Sequence, residues 1–170
     1  MTHFSAQYTL TPSRLREVVH YDPSSGVFVW LIAPAGRFRV GGVAGSRHSQ
    51  GYRKIMIDRH SYLAHRLAWL WMTGKWPVAQ IDHINLDKND NHWSNLRLAT
   101  NSQNCANRNA QRNNTSGFKG VYWHKLGRKW AAQIWVFGEC IYLGLFDTAE
   151  EAHAAYNVSA LKYFGEFSRS

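Results

Sequence analysis

Acidic residues are missing from two long stretches of this chain. Residues 91–138 contain none, yet they carry Arg97, Arg108, Arg112, Lys119, Lys125, Arg128 and Lys129. Residues 24–57 again contain none, with Arg37, Arg39, Arg47, Arg53 and Lys54. Cysteine is scarce as well. Cys105 and Cys140 are the only two and form no C-x-x-C pair, which argues against a zinc ribbon. They leave one disulfide open on paper, but a reduced cytosolic protein is the simpler reading. No apolar run approaches the roughly 18 residues of a membrane span. The opening M-T-H-F-S-A-Q-Y lacks the charged-then-apolar pattern of a secretory signal. These absences predict a cytoplasmic protein with no membrane partner.

What is present points to nucleic acid. The 170 residues suffice for one domain or two small ones, and at 45% hydrophobic they can bury a core. Lys and Arg number 20 against 11 Asp and Glu, a formal charge of +9. Phosphate neutralisation dominates the affinity of nucleic-acid binders, and here eight each of Trp, Tyr and Phe interleave with the bases. No RNA-recognition motif appears, so the expected partner is double-stranded DNA.

The most informative stretch is I-D-H-I-N-L-D-K-N-D-N-H-W-S-N-L-R-L-A-T-N-S-Q-N-C-A-N-R, residues 81–108. Residues 79–84 read as an extended piece with Asp82 and His83 near its end. Residues 85–94 are rich in Asn and Asp, which favour turns by bonding their own backbone. Residues 95–99 alternate Leu96 and Leu98 with polar neighbours, the pattern of a half-buried strand. Thr100 is an N-cap and Gln103 completes a capping box. The helix that follows is expected to carry Asn104 and Arg108 on one face. A calcium loop is excluded: counted from Asp82, an EF-hand needs Gly at position 87 and Glu at 93, where Asp87 and Trp93 stand. His92 is the main rival base, in a turn with no partner signal.

Asp82-His83, then Asn95, then Asn104 resembles the HNH nuclease motif, a ββα-metal fold, most like that of homing-type endonucleases of phages and introns. The resemblance implies His83 as general base on water and Asn95 as the holder of the loop that presents it. It implies Asp82 and Asn104 as ligands of one divalent metal. The third motif position is Asn where many relatives have His, so both ligands offer oxygen, which suits Mg²⁺ or Mn²⁺. It also implies a bacterial or phage-infected cytoplasm. The alternative is a DNA-binding or regulatory protein whose nuclease centre is idle.

Ahead of the motif, Thr11-Pro12 opens a helix expected over 13–20. Tyr21-Asp22-Pro23-Ser24-Ser25-Gly26 is turn chemistry. Strands are expected over 27–32, 52–57 and 62–64, and a helix over 65–73 stopped by Gly74 and Pro77. Tyr21 to Gly26, Gly51-Tyr52 and His65-Arg66-Leu67-Ala68-Trp69 resemble the region that often precedes this motif in phage proteins. Arg66 is a candidate phosphate contact there. For His65, a buried or capping role is the favoured reading.

Residues 107–116 form a polar, Asn-rich linker. Beyond it, strands are expected over 118–124, 129–137 and 140–146, joined as an antiparallel meander, then a helix capped by Thr148 with Glu151 three residues on. Gly120-Val121, Trp130-Ala131-Ala132-Gln133-Ile134, Tyr142-Leu143-Gly144-Leu145-Phe146-Asp147-Thr148-Ala149-Glu150-Glu151-Ala152 and Ala155-Tyr156 resemble an AP2 domain, known from plant ethylene-response factors. The resemblance implies a sheet that lies in the major groove, with Lys119, His124, Lys125, Arg128 and Lys129 as basic contacts. Tyr122, Trp135 and Cys140 stand where plant members tend to carry Arg. Without those bidentate guanine readers the plant sequence preference does not carry over.

The expected protein is therefore α+β. It has an HNH nuclease domain over 1–106, with its motif over 79–108, a linker over 107–116 and an AP2-like domain over 117–170. Its DNA contacts are Arg66, Arg97, Arg108, Arg112, Lys119, Tyr122, His124, Lys125, Arg128, Lys129 and Trp135. One centre per chain implies nicking by a monomer, or cutting of both strands by a dimer.

Overall fold

The computed structural model describes residues 10–34, 36, 38–111 and 113–169; Arg37 and Arg112 lie outside them. It is an α+β structure with four α-helices and four small sheets among the described residues. The chain divides into two compact units, Met1–Leu98 and Ala99–Ser170. That division falls ahead of the 107–116 stretch, which lies inside the second unit. None of the helices is long and apolar enough to cross a membrane.

In the first unit, α1 (Pro12–Val18) starts where Thr11 accepts a bond from the Arg14 amide at 3.2 Å. It ends two residues before the expected limit. Val19 and Tyr21 are buried while His20 is exposed, and this period-two burial makes Val19–Asp22 a strand, β1. It pairs antiparallel with β2 (Val27–Trp30), and Tyr21 stacks on Phe28 with centroids 4.6 Å apart. A second sheet holds β3 (Ser46–Arg47), β4 (Arg53–Ile57) and β5 (His60–Leu63) in that order. Helix α2 (Ala64–Thr73) buries Ala64, His65, Leu67, Ala68 and Leu70, and stops at Gly74, whose φ of 69° suits a residue without Cβ. Leu15, Phe28, Ile55, Leu67 and Leu70 share one core with these elements.

The turn between β1 and β2 is a seat for the later loop. Asp22 accepts bonds from the Ser24 amide and from both serine hydroxyls, which fixes the turn. The Tyr21 hydroxyl donates to the Asn91 carbonyl at 2.7 Å, and the Trp93 amide donates to the Pro23 carbonyl at 3.0 Å. Gly26 has φ +68°, and a Cβ there would stand 2.4 Å from the Asn91 carbonyl carbon and 2.4 Å from the His92 nitrogen. Both atoms are backbone and cannot swing aside. A Gly26→Ala variant is expected to lose about 2–4 kcal/mol of stability, from left-handed strain and from displacement of this loop. Urea unfolding measures it; a loss under about 0.5 kcal/mol would mean the loop does not rest on the turn.

Strands β6 (Gln80–His83) and β7 (Leu96–Ala99) form a two-stranded sheet. Three successive residues of β6, Ile81, Asp82 and His83, are buried, so both faces of this strand are covered.

The second unit begins with α3 (Asn101–Ala106), which carries the expected capping box between Thr100 and Gln103. The helix ends at Ala106, so Arg108 lies beyond it rather than on its face. Strands β8 (Val121–His124), β9 (Lys129–Val136) and β10 (Glu139–Phe146) make an antiparallel sheet in the order β10-β9-β8. Helix α4 (Ala149–Phe164) is capped by Thr148 and Glu151 in a second capping box. Small residues bring α4 close to the sheet: Ala132 and Ala152 are fully buried, in one cluster with the buried Val121 and Ala149. A second cluster joins Ala99 and Ala106 to Ile134, Val136, Tyr156, Ala160 and Phe164. This shared burial is why α3 belongs with the second unit. The 107–116 stretch is not a loose connector either. Asn107 is buried, and the Asn114 side chain donates to the Phe118 carbonyl at 2.7 Å and accepts from the Ser116 amide at 2.8 Å.

Candidate active site

His83 ends β6 and is 5% exposed. Its ring meets His65 edge-on at 5.0 Å between centroids, and Tyr52 at 6.0 Å. Its Nε2 lies 3.4 Å from Asn91 Oδ1, a long hydrogen bond. The Asn91 amide nitrogen donates to the Asn89 carbonyl at 3.0 Å, which turns Oδ1 towards the imidazole. An amide oxygen only accepts, so Nε2 carries the hydrogen and the lone pair of the neutral ring is on Nδ1. Burial, working against Asn91 and the nearby carboxylates, holds the His83 pKa below its ordinary value, which keeps the ring neutral and able to take a proton.

The loop after His83 is tied by Asn95, itself buried. Asn95 Oδ1 accepts from the Asn85 amide at 3.0 Å, and its Nδ2 donates to Asn85 Oδ1 at 3.0 Å and to the Asp90 carbonyl at 2.8 Å. The Ile84 amide bonds the Asn95 carbonyl at 3.0 Å. Side chains bonding two residues onward, at Asn85, Asp87 and Asp90, account for the richness in Asn and Asp. His92 does have a partner that the sequence did not reveal: its Nδ1 pairs with Asp90 Oδ1.

Asp82 is 3% exposed, and its Oδ2 accepts from Arg97 Nε at 3.0 Å. Arg97 was expected at DNA. It sits instead on the strand paired with β6, where a buried carboxylate needs a compensating charge. Asn104 is half-buried on α3, in the second unit.

The other expected DNA contacts fare unequally. Arg66 is half-buried, and its Nη2 donates to the Pro77 carbonyl at 3.3 Å. Lys119 donates to the Ala106 carbonyl, which ends α3 and needs a donor, and to the Arg108 carbonyl beyond the helix. Burial lowers its pKa to about 8. His124 Nδ1 accepts from the Gly127 amide at 3.0 Å within its own turn. Lys129 pairs with Asp147 at 2.8 Å on the surface. Arg108, Lys125 and Arg128 are exposed, as are Tyr122 and Trp135, at 38% and 61%. Arg112 lies outside the described residues.

His65, Tyr52, Asn91 and Tyr21 were not assigned to the site from sequence. The short likenesses around Tyr21, Tyr52 and His65 were the available signal: all three residues touch either His83 or the loop beside it.

Residues 62–106 match the HNH endonuclease family model. The matched HNH segment runs from β5 through α3 and includes Asp82, His83, Asn95 and Asn104. The chain is also similar to APETALA2-like protein 2 of rice, in Oryza sativa subsp. indica and subsp. japonica. It is 38% identical to both over 58 residues, 34% of this chain and 13% of each rice protein. It is likewise 38% identical over 58 residues to the AP2-like ethylene-responsive transcription factor TOE2 of Arabidopsis thaliana, 12% of that protein. The matched stretch thus spans about an eighth of these curated relatives. No solved structure matches the chain significantly. The HNH segment supports a nuclease, a phosphodiester hydrolase.

Each expected metal ligand, taken by itself, has a chemistry that suits a divalent cation. Among the described residues, no group of three His, Cys, Asp or Glu side chains is placed to hold a metal ion. The candidates are one carboxylate, Asp82, and one amide oxygen, Asn104. Both are hard donors, and a carboxylate has capacity for a cation beside its bond to Arg97.

The histidine pair also sets an acid limit on stability. Burial, with the charges of His83 and Arg66, lowers the His65 pKa from 6.5 to about 3. His65 Nδ1 is buried without a hydrogen-bond partner. The unfolded chain therefore binds protons that the folded one refuses. Stability is expected to fall as pH drops below 6.5 and to keep falling towards about 3. The slope is roughly 1.4 kcal/mol per pH unit for each such histidine. Melting curves between neutral and acid pH measure this, and His65→Gln should flatten part of the slope. A flat Tm through that window would contradict it.

Proposed function

We propose that this protein is a metal-dependent DNA endonuclease in which His83 is the general base and residues 99–170 include an AP2-like module that holds DNA. The observation that carries the reading is the buried, neutral His83, its tautomer fixed by Asn91, beside the buried carboxylate of Asp82 inside the HNH segment. His83 accepts a proton at Nδ1 from water while the water oxygen attacks phosphorus in line. The P–O3′ bond breaks, its electron pair leaves with the 3′ oxygen, and solvent protonates that oxygen. The products are a 5′-phosphate and a 3′-hydroxyl. Asp82 and Asn104 would hold the cation, Mg²⁺ or Mn²⁺, which supplies charge neutralisation at the phosphate and the departing oxygen. Asn95 keeps the loop beside His83 closed. One centre per chain makes the expected product a nick unless two chains act together.

The three antiparallel strands β8 to β10 and helix α4 packed on them support the AP2-like reading, as does the partial likeness to the rice and Arabidopsis proteins. Incubation of the full chain with supercoiled plasmid, with and without Mg²⁺ or Mn²⁺, tests the proposal. Relaxed circles that form only with metal are expected. Intact plasmid under all conditions, with DNA still bound, would establish the DNA-binding protein with an idle centre instead.

A further inference from the structure

The second unit contains a cavity of about 530 Å³ that the cleavage reading does not use. Its origin is a length mismatch in the sheet. β8 pairs with β9 from Lys129 to Ala132, and the Gln133 amide still donates to the Gly120 carbonyl at 2.9 Å, so the edge of β9 beyond Gln133 is left beside the cavity. Tyr122 and Trp135 line it and stay exposed, at 38% and 61%. They are on the sheet face that Ala131 and Gln133 share, away from the α4-facing Ala132 and Ile134. The polar lining is dominated by side-chain amides, including Asn109, Asn113 and Gln133, each offering a donor and an acceptor. Arg108 and Lys119 supply positive charge, and no acidic residue lines the cavity.

A fitting occupant is flat and aromatic, has both donors and acceptors on its edge, and is attached to an anion. We infer that this cavity takes a single unpaired DNA base, stacked against Trp135 and Tyr122, its edge read by Gln133 and the asparagines and its phosphate met by Arg108. Volume agrees, since ligand cavities run from about 300 to 1,000 Å³. A paired base is held inside the helix and reaches such a cavity only by leaving the stack. The occupant is therefore a base of single-stranded or locally opened DNA. This rests on reading the chain as DNA-acting, and adds to it a preference for unpaired over paired substrate at the second unit.

The test uses the full chain in EDTA, so that no cutting intervenes. The probes are a short DNA strand carrying one 2-aminopurine, the same strand in a duplex, and an RNA of the same sequence. The single DNA strand should bind with quenched 2-aminopurine emission. Trp135→Ala should relieve the quenching and weaken single-strand binding about tenfold, and weaken duplex binding by a clearly smaller factor. Gln133→Leu, which keeps the size of the side chain, should weaken it less but in the same selective way. Cys105 lines the cavity and is exposed, so its alkylation, followed by mass spectrometry of the peptides, should slow when the single strand is present. Single-strand binding unchanged by Trp135→Ala overturns the inference, as does equal loss on single strand and duplex. RNA bound as tightly as DNA also overturns it, by making the site one for RNA. If plasmid is cut while these variants do nothing, the base site alone is wrong. If plasmid is never cut while the quenching results hold, the nuclease reading alone is wrong.

Discussion

A His83→Ala variant is expected to cut plasmid about 10²–10⁴-fold more slowly while binding DNA nearly as well as the wild type. The reason is positional. His83 is buried at the end of β6, and burial lowers its pKa, which keeps its ring neutral. Removing it takes away the proton acceptor and little else at the surface. The informative control is His92→Ala. His92 is paired with Asp90, more exposed, and the only other histidine in the loop. Its loss should cost less than about tenfold. A larger loss at His92 than at His83 would transfer the base to the His92–Asp90 pair. Loss of binding as large as loss of cutting in His83→Ala would make His83 a substrate anchor. Because burial lowers the His83 pKa from its ordinary 6.5, the acid limb of wild-type activity belongs below pH 6.5.

Truncation after Asn114 is expected to abolish cleavage. The sequence placed the nuclease domain over 1–106 and the AP2-like domain beyond a linker. But Ala99 and Ala106, at the two ends of the α3 segment, are buried in one cluster with Ile134, Val136, Tyr156 and Phe164. Lys119 holds the carbonyls of Ala106 and Arg108. Truncation removes every one of these partners. A six-residue helix has no independent stability, since nucleation is costly and short helices are marginal in water. Asn104 would lose its position with the helix. Plasmid assay together with circular dichroism of the truncated chain measures this. Nicking at more than about a tenth of the full-length rate would mean that α3 is held without the sheet and α4.

Local features were the legible ones. Both capping boxes, at Thr100 and Thr148, needed only side chains three residues apart. The β8 to β10 meander followed from alternation and short turns. The α1 boundary was misread because Val18, Val19 and Tyr21 suit either period until a partner strand is known. The charges were the least legible. Arg97, Lys119 and Lys129 belong to acid-free runs and so read as phosphate contacts. Their acceptors are Asp82, two backbone carbonyls and Asp147. Those acceptors come from elsewhere in sequence, and backbone carbonyls leave no mark in composition at all. Asn91 was one of many turn-forming residues until the fold put Tyr21, seventy positions earlier, against its carbonyl.

The seat that Tyr21, Pro23 and Gly26 provide bears on how small a working nuclease can be made. The segment that matches the HNH endonuclease family model begins at residue 62, yet the backbone of its loop rests on atoms contributed before residue 27. Grafting residues 62–106 onto another scaffold would carry the chemistry without its foundation. A transplant should therefore bring the β1–β2 hairpin with it, as a second, discontinuous piece of the same functional unit.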